Sequence, residues 1–256
     1  GNYNISTNLA NGRVYQWVAP VDGIPLGSYE PVVPLIAPQS TQLLTIGGDF
    51  EVTEKAKLSW EGALSNRDIN TFSDIDNDDN GGVAAKLGWN QNVSLNHRKD
   101  KPTSLSINGQ YEFASATFNP IERYRPVEFD RNWNLSGQTK AANENLAALS
   151  LNLQRLTEGN LQYVFSFYNR NGDYRGLNNA LNGTYQYKGF RVGLLSSYLL
   201  STTDSITTAF LRPALDVSQS FKFLKGAVLG VNVELENNRL TNIAADTLTS
   251  GSFNWQ

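Results

Sequence analysis

The chain has 256 residues, a formal charge of −3, one histidine, and neither cysteine nor methionine. That excludes disulfides, cysteine-ligated zinc, cysteine nucleophiles and any pair of catalytic histidines. With 18% charged residues and no basic cluster, no nucleic-acid partner is expected.

The first ten residues hold no charged-then-apolar leader and no initiator Met, so the expectation is a removed signal or a piece of a longer polypeptide. A short strand is expected over 13–18. Five of the nine prolines follow (Pro20, Pro25, Pro31, Pro34 and Pro38), a density that no central strand tolerates. Residues 1–40 therefore read as an N-terminal strand with a Pro-rich connecting segment, and 41–256 as one large β domain. No apolar run is long enough for a transmembrane helix, although strands that hide apolar residues at alternate positions escape that test.

From residue 44 onward the sequence alternates with period two. Leu44, Ile46, Gly48, Phe50 and Val52 fall on one face, and Ala56, Leu58, Trp60, Gly62 and Leu64 on the next. Val83 to Trp89, Leu105 to Phe113, Leu149 to Leu153 and Leu161 to Phe167 repeat the pattern. So do Leu181 to Tyr187, Phe190 to Leu194, Leu211 to Phe223 and Leu229 to Leu235. These ten segments are expected as strands, with a further one over 250–256. Only 139–153 could pass as a short helix, through its Ala and Leu content. The strands span about 10–13 residues against a usual 5–6, and a tilted strand crossing a bilayer core needs about 9–11.

The links alternate as well. Short turns are expected at 53–55, 96–102, 155–160, 188–189 and 225–226, and longer links at 67–81, 117–144, 171–177, 201–207 and 239–249. Short turns at one end and long loops at the other suit a barrel that crosses an outer membrane.

Two long loops carry candidate sites. Within SDIDNDDNGG (73–82), Asp76, Asp78, Asn80 and Gly81 follow the D-x-D-x-N-G order of a calcium loop. Leu87 stands where the bidentate Glu belongs, so Asp74 or Asp79 would have to substitute, and a solvated acidic hairpin loop is the competing reading. Residues 118–133 gather Glu122, Arg123, Tyr124, Arg125, Glu128, Phe129, Asp130, Arg131 and Trp133. This cluster reads as a latch held by Arg–carboxylate pairs, as a self-packed loop, or as a surface for a partner or glycan. His97 lies in a basic turn without a second His, and 169–176 reads as turn chemistry alone. No GxSxG, P-loop or dinucleotide fingerprint occurs, so no enzyme is expected.

The strands of 41–256, with the segments GSYEPVVPLIAPQSTQLLTIGG (27–48) and FNPIERYRPVEFDRNWN (118–134), resemble Gram-negative outer-membrane β-barrel proteins, in particular the large barrels of Bacteroidota. The resemblance implies an antiparallel up-and-down transmembrane β-barrel, all-β, with about 10–12 strands visible here or part of a larger barrel. It implies a bilayer and lipopolysaccharide as surroundings, other envelope proteins as partners, and a role in passage or in the structure of an envelope complex. Such barrels commonly end in an aromatic residue, whereas this chain closes Phe253, Asn254, Trp255, Gln256, from which a fragment is expected.

In that frame the polar faces carry both signs: Asp49, Glu51, Lys57, Glu61, Lys86, Glu112, Arg212, Asp216, Lys222, Glu234 and Glu236. Such a mixture suits a hydrated interior. Trp60, Trp89, Phe113, Tyr168, Tyr187, Phe190 and Tyr198 are expected in interfacial girdles, with ordinary β packing as the alternative. A soluble all-β module that binds glycan or lipid is the competing fold-level reading, in keeping with a mean hydropathy of −0.38 and many Asn. It would turn the apolar faces inward.

Overall fold

The alternation is realised as strand through most of the chain. A computed structural model describes residues 1–6, 12–31, 36–75, 77–96, 102–135, 141–155, 158–221, 223 and 226–243, together with the backbone of 247–255. The architecture is all-β and antiparallel, and the one helix among the described residues is a single turn. Contacts divide the chain into two compact units, Gly1–Pro38 with Ile69–Ser73, and Gln39–Asp68 with Asp74–Gln256.

In the first unit, β1 (Tyr3–Ile5) pairs with β2 (Tyr15–Trp17), Tyr3 opposite Trp17. Tyr29 bridges to Tyr3 and its ring meets Tyr15 edge-on at 5.2 Å. Side chains take up donors that the short strands leave over: the Ser28 amide donates to Asn4 Oδ1 (3.0 Å) and the Asn2 amide to Glu30 Oε2 (2.8 Å). The strand expected over 13–18 thus exists as β2, but in this small ribbon and not in the large sheet.

The second unit is one meander of eleven strands, each hydrogen-bonded to its chain neighbours. They are β3 (Ser40–Thr53), β4 (Ala56–Asp68), β5 (Gly81–Asn96), β6 (Thr103–Ala114), β7 (Glu144–Arg155), β8 (Gly159–Arg170), β9 (Tyr174–Tyr187), β10 (Phe190–Thr202), β11 (Ile206–Phe221), β12 (Ala227–Asn242) and β13 (Thr247–Trp255). The sheet is open among the described residues, with β3 and β13 at its edges.

Residues 144–155 are strand β7, as the alternation of Leu149, Leu151 and Leu153 predicts; both neighbours are in register with the whole segment, which leaves no helix there. Two expectations need correction. Strict alternation of link length fails. The links at 171–173 and 203–205 are only three residues long, since β8 to β11 run on beyond the point where the apolar pattern stops. The two long links, 69–80 and 115–143, nonetheless emerge at the same end. Finally, the strand expected over 211–223 ends at Phe221, so Phe223 lies past it, while Pro213 sits inside as expected. The ladder to β12 passes from Leu211 directly to Ala214, while Pro213 still pairs with Ser196 of β10. Proline lacks an N–H, so one side of the strand loses a rung and the other keeps it.

Register defines the two faces. Opposite residues share a face, and one row runs Glu61, Lys86, Glu112, Leu146, Tyr168, Gly176, Ser201 and Thr208. This polar face is laced by side-chain bonds between strands: Asn92 with Ser106 (2.6 Å), Gln162 with Ser150 (3.0 Å), Thr184 with Asn160 (2.6 Å), and Asn90 with Asn108. The opposite face carries Leu44, Ile46, Trp60, Leu87, Leu149, Phe165, Leu181, Tyr185, Leu215 and Val231, all exposed. Ile46 and Val231 each remain 65% accessible. The sheet therefore leaves its apolar face uncovered and packs residues against its polar one.

Candidate functional site

What packs against the polar face is the link after β6, described over 115–135. Its start is tied to β4 and β5: Thr117 Oγ1 donates to Gly81 O (2.6 Å) and the Asn119 amide to Ser65 Oγ (3.0 Å). A Cβ on Gly82 would stand against the backbone of Thr117 and Phe118, so only glycine allows that approach. The link then crosses the sheet. Arg125 pairs with Glu112 and with Glu144 (3.5 Å), its side chain only 13% exposed and its guanidinium stacked on Tyr124 (4.8 Å) and Phe129 (4.6 Å). Burial beside Glu112 and Glu144 holds the Tyr124 hydroxyl above its ordinary pKa, with Arg125 opposing the shift.

The single-turn helix α1 (Phe129–Asn132) follows. Phe129 and Trp133 bury their rings against Tyr168, at 5.2 and 5.3 Å, in a cluster completed by Leu135, Tyr174, Leu199 and Phe210. Tyr174 donates its hydroxyl to the carbonyl of Trp133. Beyond the helix the link reaches β11 and β12: Arg131 pairs with Glu236 (3.2 Å), Arg212 donates to Asn132 Oδ1 (2.9 Å), and Asn134 Nδ2 to Thr208 Oγ1 (3.2 Å).

Of the residues named from sequence, Tyr124, Arg125, Phe129, Arg131 and Trp133 meet the sheet. Glu128 pairs within the link, with Arg131 (3.5 Å). Arg123 donates to the carbonyls of Arg125, Pro126 and Val127 and thus braces the link on itself. Glu122 lines a cavity of about 500 Å³ between the link and β3–β6, and Asp130 lies in the first turn of α1. Tyr168 is a correction: it sits on the polar face beneath the link and belongs to no girdle.

Sequence reasoning did not single out Glu144, Tyr174, Leu199 or Phe210 as partners. A signal was there: each is a large or charged side chain at a polar-face position, and all lie at the same end of the sheet as the link.

In the loop 73–82, Asp76 lies outside the described residues. Asn80 donates to Asn77 Oδ1 (3.0 Å), and among the described residues no three acidic or His groups converge on a metal position. His97 and the turn around it also lie outside the described residues. No family model and no curated protein matches this chain.

Proposed function

We propose that the eleven-stranded sheet is the wall, or part of the wall, of a non-catalytic transmembrane β-barrel in a bacterial outer membrane, serving passage or the structure of an envelope complex. The observation that carries this is the inversion of the faces. A water-soluble barrel or sandwich buries apolar side chains between its layers, whereas here the buried cluster lies on the polar side and the apolar side is open over every described strand from β3 to β12.

Dimensions agree. On β10 the apolar face runs from Phe190 to Leu200, about 34 Å of strand at 3.4 Å per residue. A tilt of about 45° reduces that to about 24 Å, near the 25 Å apolar band of such barrels. On the same face Arg175 lies past the band, opposite Thr202, and Arg239 stands at its edge in the row of Leu200, where water and lipopolysaccharide headgroups would meet them. The described part of the link, 115–135, would then occupy the interior near the long-loop end as an inward-folded constriction.

The test is extraction from native membranes with and without detergent, followed by gel migration of heated and unheated samples. Detergent dependence together with a heat-sensitive mobility shift is expected. Full solubility without detergent, and no shift, would overturn the proposal.

A further inference from the structure

Beneath α1, between it and strands β9 to β12, the polar face encloses a cavity of about 640 Å³, within the size range of small-molecule sites. Its charged lining is Arg131, Arg212, Glu234 and Glu236. Arg131 is spoken for, paired with Glu236 at 3.2 Å and with Glu128 at 3.5 Å. Arg212 is bonded only to neutral acceptors, Ser197 Oγ at 3.2 Å and Asn132 Oδ1 at 2.9 Å, with its guanidinium over the Phe210 ring. No carboxylate among the described residues lies within ion-pair distance of it, and no cation lies within that distance of Glu234.

Among the described residues Arg212 and Glu234 thus line the same cavity without a direct ion-pair partner, although Glu236 and Glu128 lie near enough to act on Arg212 electrostatically. Register separates them by one diagonal step: Ala214 faces Glu234, and Arg212 lies two residues from Ala214 on the same face. Diagonal neighbours on adjacent strands stand about 7–8 Å apart. They do not neutralise each other directly, and a molecule with its own two charges can sit between them. The lining contains no aromatic side chain, so nothing there offers a stacking platform for a sugar ring or a base.

We infer that this cavity binds a small zwitterion of the amino-acid or short-peptide class, its carboxylate on Arg212 and its ammonium on Glu234. The inference rests on reading the polar face as the solvent-filled side of the wall. Arg212 is preset for the task. Ser197 and Asn132 hold its fork in place, and the Phe210 ring beneath it limits its motion, so little order has to be gained on binding. Because Asn132 belongs to α1, the inward-folded link itself shapes the site.

The test is calorimetric titration of the full chain in detergent with glycylglycine, N-acetylglycine, glycinamide and glucose. Glycylglycine is expected to bind. Removing either charge should weaken binding roughly tenfold or more, the scale of a lost charge-assisted hydrogen bond. Glu234→Gln, at an exposed position without a partner among the described residues, should erase the preference for glycylglycine over N-acetylglycine and leave the preference over glycinamide. Arg212→Gln should do the reverse. Absence of glycylglycine binding, equal affinity for the blocked compounds, tighter binding of glucose, or unchanged selectivity in Glu234→Gln would each overturn the inference. Heat-modifiable migration of the same preparation reads the membrane proposal separately. A mobility shift without zwitterion selectivity defeats this inference alone, and the titration still reads the cavity when no shift is seen.

Discussion

Arg125 shows how one side chain can fix a long link. Its guanidinium is enclosed by Glu112, Glu144 and two aromatic rings, and neither carboxylate side chain is more than a quarter exposed. Truncation would strip the half-buried Glu144 of its cation and leave Glu112 to Lys86 at 3.3 Å, and breaking such a pair costs more than the pair gains when intact. Arg125→Ala should therefore destabilise docking of the link by about 3 kcal/mol; limited proteolysis between residues 115 and 135 in detergent is the measurement, with faster cleavage expected while the strands stay protected. Gly82→Ala probes the same docking through volume. Its new methyl must push back the backbone of Thr117 and Phe118, and the same acceleration is expected with no charge altered. Tyr174→Phe is milder, since it leaves the buried carbonyl of Trp133 without its donor, a loss of about 1–3 kcal/mol read by the same assay.

At the scale of a strand, the apolar face makes a prediction of opposite sign to that for a soluble protein. Leu149 lies on it near the middle of β7 and is 43% exposed, while Ser150 beside it faces the polar side. In water, arginine at an exposed Leu position changes stability little. In lipid it costs about 2–4 kcal/mol at the midplane. Leu149→Arg should accordingly shift the urea midpoint of folding into vesicles well below that of Ser150→Arg, and equal midpoints would remove the lipid-facing reading. The same face contains Asn145 and Asn179, each bonded at 2.7 Å by a tyrosine hydroxyl, Tyr111 and Tyr163, which gives these amides a partner that hydrocarbon could not supply.

Strands β3 to β12 were legible in the sequence because period two is local and was kept over many residues. Their ends were not, because the polar extensions of β9 and β11, from Tyr174 and Ile206, have the composition of loops. Tyr168 was misassigned although parity places it opposite Leu161, Tyr163, Phe165 and Phe167. The link residues stood out by density, but their partners lie up to 105 positions away, a separation at which no sequence pattern carries information.

Across the whole sheet, the open edges set the terms. Eleven strands in a meander leave β3 and β13 pointing the same way, so direct closure would create one parallel pair, and one further strand makes the wall antiparallel throughout. In a bilayer neither edge can stay unpaired. Every strand pairing joins neighbours in sequence, whereas the link binds residues of β4 at its start and of β12 at its end. Such a link can finish docking only after the nine strands β4 to β12 are in place. Assembly should therefore proceed in two kinetic phases, a fast zipping of local hairpins and a slower closing step governed by long-range contacts. Trp133 is part of that last contact, so its fluorescence should lag behind strand formation, and Arg125→Ala should lengthen the lag without slowing the hairpins.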